Sequence, residues 1–333
     1  MKKALSLILA VLLIASLAAC GNDNSGDDTI KIGIMQFGEF DALINAKNGF
    51  VDGLKEAGYV DGDNITINYL SAAADTANCP SIADTLINDG SDLILAIATP
   101  SVSALKEKTT TIPVLFTAVT DPVASGIIPD ATTPGGNISG SSDLNPVKEQ
   151  IDLIKQILPQ SKTIAVMYCS SESNSAAQYE LAKAQIEALG MTCVQKTIAD
   201  VSEIKSAVES LQGAVDAIYI PTDNTLADAM TTVAAAAIEC KIPVVPGEPG
   251  MVKNGGLATF GIDYYSLGKQ TAEMAVKVLE SEDPLKTVGT LPVVYQTDAS
   301  DCETAINTDT AAAIGITIPD EVMNIAVKYT TQQ

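Results

Sequence analysis

The chain has no arginine, no histidine and no tryptophan in its 333 residues. Without Arg there is no bidentate fork for a carboxylate or a phosphate. Without His, Ser-His-Asp and Cys-His catalysis are excluded, and the commonest zinc ligand is missing. Aromatic residues make up only 4% of the chain, and the lack of Trp argues against the planar platforms that sugars stack on. Positive charge is scarce as well: all 19 basic side chains are lysines, and the formal net charge is −22. Such a surface repels nucleic acid and anionic lipid head groups. No nucleophile elbow and no phosphate loop is present. The cysteines, at positions 20, 79, 169, 193, 240 and 302, are scattered with no CxxC spacing. No metal cage and no cofactor is expected. A Cys169–Cys193 bridge between neighbouring strands is one reading, and buried thiols acting as small apolar side chains the other.

The N-terminus stands apart. Lys2-Lys3 precedes an apolar run, Leu5–Leu17, that is too short for a stable membrane span, so residues 1–19 read as a signal peptide. Leu17-Ala18-Ala19-Cys20 resembles the bacterial lipobox, which implies cleavage before Cys20 and lipid on its thiol. Residues 20–29 then form a lipidated cysteine and an acidic, flexible tether.

From Thr29 the chain alternates strand-like and helix-like runs. Thr29–Phe37 reads as a buried strand, Asp41–Ala57 as a helix closed by Gly58, and Asn64–Leu70 as an alternating strand. Ser81–Asn88 (helix), Asp92–Ala98 (strand), Ser101–Lys108 (helix) and Ile112–Ala118 (strand) follow. The order then repeats. Lys162–Cys169, Met191–Thr197, Val215–Ile220 and Ile242–Val245 are strands; Ser175–Leu189, Val201–Leu211 and Thr225–Cys240 are the helices between them. The punctuation echoes: Ile112-Pro113-Val114 parallels Ile242-Pro243-Val244. This predicts an α/β protein of two doubly wound, Rossmann-like lobes with parallel sheets. Pro134–Asp143, rich in Gly and Ser, reads as a loop and a first crossing between lobes. A second crossing is placed near Gly261–Tyr265, before a helix at Ser266–Glu280. Lobe 1 is thus expected at 30–142 plus about 264–290 and lobe 2 at 143–263. The C-terminal segment 291–333 is left without a lobe. Crossings at one waist make a hinge.

Thr99-Pro100-Ser101 and Thr222-Asp223-Asn224-Thr225 are polar turns between a strand's C-terminal end and a helix start. That is where ligands sit in open α/β sheets. One such turn in each half points to two lobes closing on one small molecule.

Several phrases then resemble one family, the substrate-binding lipoproteins of ABC importers, and within it the group described as tryptophan/tyrosine-type. They are Ala96-Ile97-Ala98-Thr99-Pro100, Phe116-Thr117-Ala118-Val119-Thr120-Asp121-Pro122, Gly140-Ser141-Ser142-Asp143, Ser171-Glu172-Ser173-Asn174-Ser175, Pro221-Thr222-Asp223-Asn224-Thr225 and Gly261-Ile262-Asp263-Tyr264-Tyr265. The resemblance runs from Ile30 to about Val327. It implies a type I periplasmic-binding fold, no enzyme activity, and a small ligand, often an aromatic amino acid. The implied partners are permease and ATPase subunits, and the membrane through the lipid on Cys20. Two departures fall near the expected cleft: Glu39-Phe40 where family members commonly carry Glu-His, and Pro246-Gly247-Glu248-Pro249-Gly250 where they are Ser/Asp-rich.

For an amino acid, the carboxylate needs backbone N–H groups and hydroxyls, which the start of a helix supplies at Thr99 and Ser101. A helix cap is the structural alternative for either residue. The ammonium needs carboxylates: Asp223 and Asp263 first, then Asp121 and Asp143, with Thr120 and Thr222 beside them. Asp223 could instead be an N-cap, and Asp121-Pro122 a turn initiator. Selectivity for the side chain is expected from Gln36, Phe37, Glu39, Phe40 and Tyr168, with Asn174, Ser175, Asn224 and Glu248 as further contacts. The rival readings are a nucleoside or sugar ligand, a ligand-sensing receptor, and a carboxylate-only hydrolase using Asp121 and Asp143.

Overall fold

The computed structural model describes residues 29–296 and 301–330. The expected signal peptide, the expected lipidation site at Cys20 and nearly all of the expected tether lie outside the described residues.

Lobe 1 opens with β1 (Ile30–Gln36), α1 (Asp41–Glu56), β2 (Ile65–Ser71), α2 (Cys79–Asn88), β3 (Leu93–Ile97), α3 (Thr99–Lys108), β4 (Val114–Thr117) and β5 (Ile138–Ser142). The strands of β3, β4 and β5 are buried along their whole length. That matches their unbroken apolar or small-residue runs and the cover a parallel sheet needs on both faces.

The Gly/Ser-rich loop expected at Pro134–Asp143 is corrected: its second half is β5, paired in parallel with β4. Its small residues mark close packing. A Cβ on Gly140 would stand 2.0 Å from the Phe116 carbonyl oxygen. The Ser141 hydroxyl bonds Thr117 and Thr271, and the Ser139 hydroxyl donates to the Leu291 carbonyl.

Lobe 2 comprises α4 (Val147–Ile157), β6 (Thr163–Cys169), α5 (Ser173–Ala188), β7 (Thr192–Ile198), α6 (Ile204–Glu209), β8 (Ala217–Ile220), α7 (Asn224–Asp228), α8 (Met230–Cys240), β9 (Val244–Pro246), α9 (Pro249–Lys253) and β10 (Ala258–Ile262). The single helix expected at Thr225–Cys240 is two, broken at Ala229. The helix α4 has no counterpart in the sequence reading. Its buried Val147, Ile151 and Ile154 cover one face of the sheet, and α8 covers the other.

The chain then returns. The helix α10 (Tyr264–Leu279) lies against α1 so closely that a Cβ on Gly49 would meet the Tyr265 carbonyl oxygen at 2.0 Å, and one on Gly268 the Ala46 oxygen at 2.0 Å. After α11 (Pro284–Thr290), β11 (Val294–Tyr295) pairs with β5 at the edge of the first sheet. Past residue 300, β12 (Cys302–Asn307) pairs antiparallel with β10. The last elements are α12 (Thr308–Ile314), α13 (Asp320–Ile325) and β13 (Val327–Tyr329). They pack with Leu153 and Ile157 of α4.

The sheet orders are β11-β5-β4-β3-β1-β2 and β7-β6-β8-β9, with a third sheet β10-β12-β13. In each parallel sheet the chain order reverses beside the first strand, between β1 and β3 and between β6 and β8. A doubly wound sheet opens its ligand crevice at that reversal, at the carboxyl ends of the strands. Cys169 pairs with Ile198 and Cys193 with Ile164, five residues away along β6, and both thiols are free. The register rules out a bridge between them.

Candidate functional site

The turn after β8 is a fully engaged node. The Thr222 carbonyl accepts from Asn174 Nδ2 at 3.0 Å, Ser175 Oγ at 3.1 Å and Gln178 Nε2 at 3.3 Å. Asp223 is the N-cap of α7. One oxygen accepts from the Leu226 N–H at 2.9 Å, and the other reaches across to the Cys169 N–H at 2.7 Å. Glu172, before α5, closes over the same turn. It accepts from the backbone N–H groups of Asn224 and Thr225 at 2.9 and 2.8 Å, and from both of their side chains. Two buried carboxylates therefore hold one short helix start, where unsatisfied N–H groups would otherwise cost free energy.

Lobe 1 contributes two strained turns. Ala98 (φ 77°) follows β3 and Ala118 (φ 56°) follows β4. Alanine rarely takes a positive φ, and such outliers gather where the surrounding fold holds a site. They aim Thr99 and Thr120 inward. Between the lobes, Asp143 accepts from Thr120 Oγ1 and from Tyr264 Oη, each at 2.9 Å. Asn145 spans the same crossing. Its amide donates to Thr222 Oγ1 at 3.1 Å and Tyr264 Oη at 3.4 Å, and its oxygen accepts from the Ile262 N–H at 3.2 Å. Glu248 is the N-cap of α9, accepting from the N–H groups of Gly250 and Met251 at 2.7 and 2.9 Å.

These groups meet at a small cavity of about 10 Å³, lined by Phe40, Ala42, Leu43, Thr99, Ala118, Thr120, Asp143, Asn174, Thr222, Asp223, Asn224, Ala227, Glu248 and Tyr264. It shares Thr99 and Asn174 with a 730 Å³ cleft on one side, and Ala42, Glu248 and Tyr264 with a 540 Å³ cleft beside the crossings on the other. Nine of the residues singled out in the sequence thus share one space: Phe40, Thr99, Thr120, Asp143, Asn174, Thr222, Asp223, Asn224 and Glu248.

The others stand elsewhere. Gln36 is buried at the end of β1 and donates to the Gly38 carbonyl. Phe37 lines the 730 Å³ cleft. Ser101 is buried in the first turn of α3 with its hydroxyl unpartnered. Ser175 supports the Thr222 carbonyl. Asp121 caps its own turn through the Val123 and Ala124 N–H groups. Tyr168 lies in the core of lobe 2 with its ring centroid 5.5 Å from that of Tyr179. Asp263 is exposed, caps α10 and faces the 540 Å³ cleft. Glu39 is exposed and hydrogen-bonded by the Tyr69 hydroxyl.

Sequence reasoning passed over Glu172, Asn145 and Tyr264 as site residues. All three stand within or next to the motifs it quoted. For Glu172 the available signal was an acceptor side chain flanking a turn whose N–H groups need capping; Asn145 and Tyr264 carry no such signal.

The site's electrostatics are one-signed. Burial pushes the Asp143 carboxyl up to about 6, against hydrogen bonds from Thr120 and Tyr264 that pull it down. Burial pushes Glu248 up to about 7, with Asp41 and Asp143 adding to the rise. Asp223 is raised by burial first and by the neighbouring Glu172 charge second. Among the described residues, every ion pair lies outside this group. The nearest pair joins Asp41 on α1 to Lys253 on α9 at 2.9 Å, across the cleft. Among the described residues no group of acidic or sulfur side chains suits a metal ion.

Two parallel-sheet lobes with a buried polar cavity at the strand ends between them define a type I periplasmic-binding protein. The chain belongs to the ABC transporter substrate binding protein family, whose model matches residues 31–330. It is 40% identical over 325 residues to a tyrosine-binding protein of Clostridioides difficile, covering 94% of this chain and 92% of that one. Two solved relatives frame the conformation. The ABC domain from Streptococcus pneumonia in complex with L-Trp superimposes with a TM-score of 0.84 at 36% identity, over 90% of this chain and 99% of that one. The ligand-free, open structure of a substrate-binding protein with adhesive properties from Clostridium difficile gives 0.70 at 39% identity, over 91% and 100%. The chain superimposes better on the complex than on the open relative, although the open relative is the more similar in sequence. Among the described residues no helix is long and apolar enough to cross a membrane.

Proposed function

We propose that this protein captures an aromatic amino acid outside the cytoplasm and delivers it to an ABC permease, tethered to the membrane by lipid on Cys20 and catalysing no reaction. One observation carries the reading: Asp143, Asp223 and Glu248 line one buried cavity from both lobes and from the crossing between them, with no basic side chain among them. Buried carboxylates repel one another and lose hydration, and an entering ammonium offsets both penalties. The lining draws side chains from each lobe, so the ligand is held only when the lobes approach. Capture and closure are then one equilibrium, biased by the ligand's contacts with both lobes. The ligand's carboxylate faces the starts of α1 and α3, neither of which has a side-chain cap. The first N–H groups of α1, with the N–H and hydroxyl of Thr99 at the start of α3, do the work that Arg performs elsewhere; Pro100 has no N–H, and those of Ser101 and Val102 are held by the Ala98 carbonyl.

The test is a thermal-shift screen followed by calorimetry of the purified mature chain. L-tyrosine or L-tryptophan is expected to raise the melting temperature in proportion to ln(1 + [L]/Kd), whereas glucose and adenosine leave it unchanged. Stabilisation by a sugar or nucleoside alone would overturn the assignment.

A further inference from the structure

We infer that Phe40 is the residue that sets how large a ligand side chain the closed cleft accepts; this rests on the amino-acid reading above. Phe40 occupies the N-cap of α1, with extended backbone (φ −115°, ψ 162°) and no side-chain cap bond. Phenylalanine offers no acceptor to the orphan N–H groups there, and Ser, Thr, Asn or Asp is the residue that a helix start favours. Helix stability therefore does not account for an aromatic ring at this position.

The ring's surroundings do. Phe40 belongs to lobe 1, yet it packs against the apolar cluster of lobe 2 that contains Ala227. Both residues line the small cavity. The ring folds back over the preceding loop, where a Cβ on Gly38 would stand 3.0 Å from its Cε1 atom. The other bulky side chains in the wall, Leu43 and Tyr264, are locked at 2% and 4% exposure, whereas Phe40 is only half-buried. The polar wall residues Asp143, Asp223 and Glu248 are each fixed by two hydrogen bonds. Phe40 is thus the bulky wall element that can yield. With its ring in place the cavity measures about 10 Å³, room for one water and not for a ligand's ring. The space for that ring is made where Phe40 stands, by its displacement as the lobes part and re-close.

The experiment compares two aromatic ligands of different size, so that lost stacking or weakened closure cancels. Calorimetry measures the L-Trp and L-Tyr affinities of the wild type, Phe40→Ala, Phe40→Leu and Phe40→Trp. A size wall predicts that the Trp-to-Tyr affinity ratio rises about tenfold or more in Phe40→Ala, stays near wild type in Phe40→Leu and falls in Phe40→Trp. Melting temperatures of the ligand-free variants report folding separately. Equal weakening of both ligands in Phe40→Ala together with an unmoved ratio in Phe40→Trp would reduce Phe40 to a closure contact and overturn the inference. A wild type that binds neither amino acid would overturn the function itself.

Discussion

Raising the pH should tighten ligand binding while weakening the ligand-free fold, and both effects come from the same buried carboxylates. Glu248 is wholly buried and its carboxyl is pushed from 4.5 up to about 7; Asp143 moves from 3.8 up to about 6. An acid whose folded value exceeds its unfolded value holds a proton in the native state that the unfolded chain has released. Its contribution is therefore most favourable below about pH 4 and is lost as pH rises towards 7. For Glu248 alone the change is on the order of 3 kcal/mol. Binding runs the other way, because an ammonium needs the ionised carboxylate. At pH 5 only about 1% of a group titrating near 7 is ionised, against about 90% at pH 8, so affinity should be about 100-fold weaker at pH 5. Asp143 and Asp223 act in the same direction. The assay is calorimetry with L-tyrosine at pH 5, 6, 7 and 8, in buffers of differing ionisation enthalpy to count protons. About half a proton should leave Glu248 on binding at pH 7. Denaturation of wild type and Glu248→Gln at pH 5 and 8 isolates the stability term, which the variant should lack. Affinity that is flat from pH 5 to 8, with no proton release, would refute the electrostatic account.

Two further outcomes follow from the packing. Gly140→Ala should lower the melting temperature by several degrees or prevent folding, because its Cβ would collide with the Phe116 backbone at 2.0 Å; thermal unfolding reads this directly. Glu172→Ala should cost about 2–4 kcal/mol in denaturant unfolding, since it strips the Asn224 and Thr225 N–H groups of their acceptor. The same change should lower the Asp223 carboxyl by removing the neighbouring charge, visible in an NMR titration.

The two α/β lobes were legible because buried parallel strands leave unbroken apolar runs and each helix stops at a glycine or polar turn. The loop expected at 134–143 is a strand over its second half for a physical reason: Gly and Ser mark flexibility in a solvated chain but close approach in a buried one, and β5 is the second case. The site divided along similar lines. Thr99, Asp143, Asn174 and Asp223, picked out in the sequence near strand ends, line the shared cavity. Tyr168 does not, because its alternation along β6 turns it into the core of lobe 2. Asp263 lines the 540 Å³ cleft and not the small cavity, because its side chain caps the exposed first turn of α10. Glu172 escaped notice because its partners, Asn224 and Thr225, lie 52 and 53 residues away in the chain.

The most direct test of the central claim removes only the ligand's positive charge. Calorimetry at pH 8 should compare L-tyrosine with 3-(4-hydroxyphenyl)propionate, which keeps the ring and the carboxylate but lacks the ammonium. If Asp143, Asp223 and Glu248 hold that ammonium, L-tyrosine binds and the desamino analogue binds at least about 100-fold more weakly. Equal affinity for the two compounds would contradict the account.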